Sequence, residues 1–247
     1  MKITLVLPTL NEAENLPRIV PILMDLPLPD LKLLIVDDLS LDGTGEVAEG
    51  LAAKFPGRIE VIHRDGRPGL GRAYVFGFNH ALRSDAEAIG QMDCDFSHPP
   101  KKLSALVLKL ADCELALGSR YIPGGGVDNR WPVWRTALSR WGNFYARSIL
   151  GLPIRDVTGG FRLWRRELLE RIPYQQVVSN GYIFLVEVLY LAKLHGARFG
   201  EVPIYFADRR WGKSKMNVRV QLEAAWRVWQ VRWRYRRVAA ARNTAKV

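Results

Sequence analysis

Two aspartates one residue apart, Asp93 and Asp95, follow an apolar run at 88–92 and precede Ser97-His98-Pro99-Pro100. Carboxylates at that spacing can share a divalent cation. Mg²⁺ or Mn²⁺ takes oxygen ligands and commonly binds through one or two carboxylates plus the phosphates of a substrate. A departing diphosphate is the kind of charge such an ion neutralises. A second acidic pair, Asp37-Asp38, ends another apolar run and opens D-D-x-S-x-D-G-T. Asp38 is placed to hold a ribose or a base, as acidic residues do at this point of nucleotide folds. Ser40 or Asp42 is expected to cap the helix that follows, and Asn11 and Glu12 read as helix-start residues.

A third set is cationic. Arg120 lies one residue beyond a buried run, and Arg135 and Ser139, four apart, share one helix face. Guanidinium plus hydroxyl suits a phosphate monoester. Arg209 and Lys215 flank a short polar loop that is able to close over a diphosphate. His63, His80, His98 and His195 show no metal-ligand spacing and read as structural. Cys94 and Cys113 read as small buried hydrophobes rather than a disulfide. No phosphate-binding P-loop and no nucleophile elbow occurs.

The elements that must carry these groups alternate. Apolar runs at 3–7, 33–36, 59–62, 88–92 and 115–117 read as buried strands, and amphipathic stretches at 12–26, 44–54, 70–83 and 100–111 as helices. Strand alternating with helix predicts a mostly parallel, Rossmann-like α/β sheet flanked by helices. Ligands then gather at the carboxyl ends of the strands, where Pro8 to Glu12, Asp37-Asp38, Asp93 to Asp95 and Gly118-Ser119-Arg120 all stand. Beyond 120 the alternation breaks. Helices are expected at 133–150, 165–171 and 180–195, and a strand at 200–206.

The chain carries a net charge of +11 over 247 residues, with 48% hydrophobic and 25% charged residues. From 209 to 247 there are twelve Lys or Arg against Glu223 alone, so the basic excess sits in the tail. Leu222, Trp226, Trp229 and Trp233 recur there at helical spacing between arginines. This predicts a basic amphipathic helix over 216–247, lying on an anionic membrane surface; docking to a membrane protein is the rival reading. The run at 3–7 is too short for a signal peptide's apolar region, and no stretch approaches a spanning length. The expected location is cytoplasmic, peripheral on a membrane face. A nucleic-acid module is disfavoured because the rim clusters are largely acidic.

P-T-L-N-E at 8–12, V-D-D-L-S-L-D-G-T at 36–44, G-L-G-R-A at 69–73, M-D-C-D-F-S-H-P-P at 92–100, G-S-R-Y at 118–121 and D-V-T-G-G-F-R at 156–162 jointly resemble family 2 glycosyltransferases of the GT-A fold. Within that family the set resembles the polyprenol-phosphate mannosyltransferases, over about residues 1–215. The resemblance implies inverting transfer of mannose from GDP-mannose to a polyprenyl phosphate; glucosyl or aminosugar transfer from another nucleotide-sugar is the alternative. It implies nucleotide-sugar contacts from Pro8, Leu10, Glu12, Val36, Asp38, Asp93, Cys94, Asp95, Arg209 and Lys215. Arg120, Arg135 and Ser139 would hold the acceptor phosphate, and Asp93, Asp95 and Ser97 the metal, with Asp93, Asp95 and Arg120 as catalytic residues. Ser97 departs from relatives that place Gln there. The membrane-spanning helices that follow in many relatives are not part of this sequence.

Overall fold

The computed structural model describes residues 1–179, 181–208 and 218–238. A seven-stranded sheet forms its centre. In chain order the strands are β1 (Ile3–Thr9), β2 (Leu31–Asp37), β3 (Ile59–His63), β4 (Ala88–Gln91), β5 (Leu115–Ser119), β7 (Arg162–Arg165) and β8 (Phe199–Pro203). The spatial order is β3-β2-β1-β4-β7-β5-β8. A two-stranded parallel ribbon, β6 (Gly126–Val127) with β9 (Tyr205–Phe206), lies apart from it.

Strand sequences dictate which side chains go where. Successive residues point to opposite faces, and both faces here are apolar, as a covered parallel sheet requires. Leu5, Leu7, Leu33 and Ile35 join one core with α1 (Leu16–Met24), α2 (Thr44–Lys54) and α4 (Leu103–Lys109). Val6, Leu34, Val36, Leu115 and Leu117 join the other, with α3 (Leu70–Ala81), α6 (Arg166–Arg171), α7 (Tyr182–Leu194) and the final helix α8 (Val218–Arg234). The long helix α5 (Val133–Leu150) lies against α8. Burying one such Leu or Ile contributes roughly 1.5–3 kcal/mol.

All strands run parallel except β7, which is antiparallel to β4 and β5. That strand is the main departure from the expectation, because residues 161–165 read as the approach to a helix. Of its two arginines Arg162 is fully buried and Arg165 half-buried, so R-L-W-R has neither an apolar run nor a regular outward polar face to mark a strand. The consequence is functional. An antiparallel strand starts where its parallel neighbours end, so the turn entering β7 is delivered to the same rim as the ends of β1, β2, β4 and β5.

Other differences are local. The first helix begins at Leu16 rather than at 12, because Asn11 takes a left-handed backbone (φ 60°) and residues 12–15 form a turn closed by Asn15 N–H on the Glu12 carbonyl. The expected helix at 100–111 starts as a 3₁₀ turn, Pro100–Lys102. The strand expected at 200–206 is two strands, β8 and β9.

Candidate active site

The sheet order reverses between β1 and β4, each side of which faces outward to a different series of strands; this is the crevice where open α/β sheets bind ligands. The loops leaving β1, β2 and β4 each contain a non-glycine residue at positive φ: Asn11 (60°), Leu39 (64°) and Phe96 (64°). Leucine and phenylalanine rarely adopt this geometry, at a cost on the order of 1–3 kcal/mol each. Strain concentrated on one rim marks a surface shaped for something other than stability.

The acidic pair after β4 is held from several sides. Asp93 Oδ1 accepts a hydrogen bond from the Tyr74 hydroxyl at 3.1 Å, and the Asp93 amide donates to His98 Nδ1 at 3.0 Å. Asp95 is buried, and its Oδ1 accepts both the Ser97 amide (3.0 Å) and the Ser97 hydroxyl (2.5 Å). Tyr74 reaches Asp93 because α3 lies close against β1. A methyl group on Gly77 would meet Val6 Cγ1 at 2.4 Å, so only glycine permits that approach. Burial, with the Asp93 charge adding to it, raises the Tyr74 hydroxyl well above its ordinary range and keeps it a neutral donor. His98 stacks on Phe161 (5.5 Å between ring centroids) and meets Phe206 edge-on. Burial lowers its pKa, against the pull of Asp93 and Asp95. A neutral ring fits its role as acceptor for the Asp93 amide, so its structural reading acquires a definite task.

Two carboxylates fit a cation that also takes substrate phosphates, as Mg²⁺ and Mn²⁺ do. Among the described residues no group of three or more His, Cys, Asp or Glu side chains could hold a metal alone. Cys94 offers no thiolate. It is buried in the core, and burial, then the charges of Glu12, Asp95 and Asp93, push its thiol well above the usual value. Cys113 is likewise buried and unpaired with Cys94.

At the opposite end of the crevice the β1 and β2 loops are laced together. The Asn11 amide donates to Ser40 Oγ (2.9 Å), and Asn11 Oδ1 accepts the Leu41 amide (2.9 Å). Asp42 accepts the amides of Ala13 and Thr44, both at 3.1 Å, but the N-cap of α2 is Gly43 in a left-handed conformation (φ 86°), so neither Ser40 nor Asp42 takes the expected capping position. Asp38 is buried. Its Oδ1 pairs with Arg64 (2.7 Å to Nε) and its Oδ2 accepts the Gly69 amide at 2.6 Å. It therefore anchors the loop from β3 to the start of α3. Pro8, Leu10 and Glu12 are half-buried on this rim, whereas the Val36 side chain lies wholly in the core.

The third cluster centres on a buried ion pair. Arg120 Nε and Nη2 each donate to Asp156 at 2.7 Å, the Arg120 amide donates to Asp156 Oδ2 at 2.9 Å, and Nη2 also reaches Thr158 Oγ1 at 2.7 Å. Burial raises the Asp156 carboxyl, but the Arg120 charge and the hydrogen bonds from Arg120 and Gly159 outweigh it and hold the group below its ordinary value. Asn143, buried on α5, donates to Thr158 Oγ1 and the Ser139 carbonyl and accepts the Val157 and Thr158 amides. Ser139 Oγ is bonded to the Tyr121 hydroxyl at 2.7 Å. One network thus ties Arg120 to Ser139. Arg135 stands at its edge, its guanidinium 3.7 Å over the Trp131 ring and 3.5 Å from Asp208.

The Asp93 cluster and the Arg120 cluster meet through the turn entering β7. A methyl group on Gly160 would lie 3.3 Å from His98 and 3.7 Å from Asp93, and one on Gly159 3.4 Å from Asp156. Beneath it, fully buried Arg162 donates to the carbonyls of Gly159, Leu185 and Val157. Burial lowers its pKa to about 9, so it remains charged at neutral pH. Tyr74, His98, Asn143, Asp156 and Arg162 escaped the sequence-based choice of residues. Asp156 and Arg162 stood inside the D-V-T-G-G-F-R segment and His98 inside M-D-C-D-F-S-H-P-P, where it read as structural, whereas Tyr74 and Asn143 left no trace. Arg209 and Lys215 lie outside the described residues.

The chain matches glycosyl transferase family 2 over residues 4–173. It is 44% identical over 232 residues to the polyprenol monophosphomannose synthase of Mycolicibacterium smegmatis, covering 93% of this chain and 87% of that one. It is 39% identical over 233 residues to the undecaprenyl-phosphate mannosyltransferase of Micrococcus luteus, covering 94% of each. Among solved structures it superimposes on glucosyl-3-phosphoglycerate synthase of Mycobacterium tuberculosis in complex with Mn²⁺, UDP and phosphoglyceric acid. The TM-score is 0.64 at 18% identity, over 93% of this chain and 76% of the other. A second structure of that enzyme, with Mg²⁺ and UDP, gives 0.62 at 19% identity, over 93% and 77%. The fold is therefore GT-A-like, the chain is a glycosyltransferase, and it belongs to glycosyl transferase family 2.

Proposed function

We propose that this enzyme transfers mannose, with inversion, from GDP-mannose to a polyprenyl phosphate at a membrane surface. The single observation that carries the reading is the alignment, on one rim, of a carboxylate pair suited to a metal–diphosphate with an arginine–hydroxyl cluster suited to a phosphate monoester. The relatives' names, both of mannosyl transfer to a polyprenyl phosphate, support this acceptor and sugar. The donor base is assigned on resemblance.

In this reading the loops after β1 and β2 hold the nucleoside. Pro8, Leu10 and Glu12 contribute from the rim, Asp38 fixes the wall through Arg64 and Gly69, and Val36 contributes through its main chain. Asp93 and Asp95 would hold Mg²⁺ or Mn²⁺, which would offset the negative charge of the departing diphosphate. Tyr74 and the Ser97 hydroxyl orient the two carboxylates, so Ser97 serves Asp95 more directly than it would serve an ion. Cys94 contributes its backbone. Arg209 and Lys215 would close on the diphosphate. Arg120, Arg135 and Ser139 receive the acceptor phosphate. That phosphate is largely ionised at neutral pH and needs no general base. One of its oxygens attacks the anomeric carbon, the bond from that carbon to the diphosphate breaks, and the electron pair leaves with GDP. The protein contributes position and charge. The basic tail rests on an anionic membrane leaflet on the cytoplasmic side. No helix among the described residues is long and apolar enough to cross a membrane.

Titration calorimetry with GDP-mannose and UDP-glucose, each with and without Mn²⁺, tests the donor side. Tighter binding of GDP-mannose that requires Mn²⁺ and disappears in Asp95→Ala supports the assignment. Preference for UDP-glucose overturns the donor, and undiminished binding by Asp95→Ala overturns the metal ligands.

A further inference from the structure

Asn15 stands at the N-cap of α1 and does not cap it. Asparagine at this position ordinarily turns its side-chain oxygen onto the amide of the second or third helical residue. Here the second is Pro17, which has no N–H, and the Arg18 amide donates to the Asn15 main-chain carbonyl at 3.1 Å. The side chain turns to Glu12 instead, and its Nδ2 donates to Glu12 Oε2 at 2.6 Å. An ionised carboxylate only accepts, so the amide nitrogen is the atom that faces it, and Oδ1 lies buried with no hydrogen-bond partner. At 3% exposure this is a core position, where an unsatisfied acceptor costs stability. A side chain that forgoes the cap and strands its own oxygen serves its neighbour rather than the helix.

Glu12 is held at a second point. Its amide donates to Thr44 Oγ1 at 2.8 Å, and Thr44 is the fully buried first residue of α2. The main chain and the carboxylate of one residue are thus fixed from the two helices that follow β1 and β2. The surroundings call for both holds. After burial, the Glu12 charge is the strongest influence on the Cys94 thiol, ahead of Asp95 and Asp93. Three carboxylates therefore crowd one stretch of the rim. Like charges so close disfavour one another, and the half-buried Glu12 side chain has water to turn towards. The Asn15 amide is a neutral donor, so it keeps that carboxylate in one place without cancelling its charge.

We propose that Asn15 is a positioning residue that aims the Glu12 carboxylate at the hydrogen-bond donors of the bound nucleoside. It touches no substrate atom itself and acts on the nucleotide through Glu12 alone. A carboxylate held in advance does not spend ordering entropy when the nucleotide arrives, whereas a swinging one does. The proposal rests on the assignment of Glu12 to the nucleoside given above, and the test separates the two.

The test is GDP binding to the full chain in the presence of Mn²⁺, measured by titration calorimetry, with denaturant unfolding of each variant alongside. The variants are Asn15→Ser, Glu12→Ala and the two combined. Serine caps a helix as well as asparagine does but falls short of Glu12, so a residue needed only to start α1 tolerates it. The expected result for Asn15→Ser is an unfolding midpoint at or near the parent value and GDP affinity lower by about tenfold. Glu12→Ala should lose at least as much, and the double variant should lose no more than Glu12→Ala alone. Parent-like GDP affinity in Asn15→Ser overturns the proposal and leaves the nucleoside reading of Glu12 standing. Losses that multiply in the double variant also overturn it, because Asn15 then acts independently of Glu12. Undiminished affinity in Glu12→Ala overturns the nucleoside reading of Glu12 and the proposal with it. If Asn15→Ser lowers the unfolding midpoint, the double variant still decides, since a defect in the helix start adds its loss on either background.

Discussion

Asp156 offers the sharpest perturbation of the site's framework. Its side chain is fully buried and takes three hydrogen bonds from Arg120 and one from the Gly159 amide. Asp156→Asn preserves shape, removes the charge and leaves a guanidinium only 8% exposed facing a neutral amide. Breaking one side of a buried ion pair costs about 3–5 kcal/mol. At about 2–4 °C per kcal/mol for a chain of this size, the melting temperature should fall by roughly 6–20 °C at pH 7. The sign with pH follows from the folded-state carboxyl lying below its ordinary value. Its contribution is complete above the unfolded pKa of about 3.9 and fades as pH falls through the folded value. The gap between the parent chain and the variant should thus be widest near neutrality and narrow below about pH 4. Thermal unfolding by circular dichroism at several pH values measures it. A gap of the same size at pH 7 and pH 3, or none at pH 7, would refute the argument that charge pairing holds this turn.

Three further outcomes follow from the same geometry. Tyr74→Phe removes the donor to Asp93 Oδ1 while leaving the ring stacked between Phe78 and Phe184. Mn²⁺ affinity by electron paramagnetic resonance should drop by about tenfold with little change in stability. Ser97→Ala should weaken Mn²⁺ binding by a similar factor, because Asp95 loses its hydroxyl partner, and Ser97→Thr should restore it; a loss that Thr fails to rescue argues against the orienting role. Arg162→Met strands the carbonyls of Gly159, Leu185 and Val157 in the core, at about 1–3 kcal/mol for each left unsatisfied. The protein should unfold at markedly lower denaturant concentration, and retention of the parent midpoint would show that those carbonyls find other donors.

Much of the fold was legible because parallel strands buried on both faces write themselves as short apolar runs. The runs at 3–7, 33–36, 59–62, 88–92 and 115–117 became β1 to β5, and the expected helix at 133–150 became α5. What stayed hidden was β7, whose inward Arg162 breaks the apolar signature, and with it the reason the Asp156–Gly160 turn reaches the rim. The candidate substrate-binding residues on the rim stand out by type at strand ends. Those that hold them did not: Tyr74 reads as an ordinary core aromatic of α3, and Asn143 as one polar residue in a helix. Their tasks depend on contacts between segments far apart in sequence, 19 residues for Tyr74 with Asp93 and 36 for Arg120 with Asp156. Such contacts carry no local pattern. The tail's Trp and Arg spacing was readable, yet the exposure of Trp134, Trp141 and Phe144 on α5 was not, because the same aromatics fit a buried helix face equally well.

The most direct test of the account is transfer of radiolabelled mannose from GDP-mannose to polyprenyl phosphate by the purified chain, with Mg²⁺ or Mn²⁺ and with chelator. A lipid-soluble mannosyl phosphate should form only with metal and be absent in Asp95→Ala. Equal product in chelator, or no mannosyl lipid while another nucleotide-sugar supplies one, would contradict it.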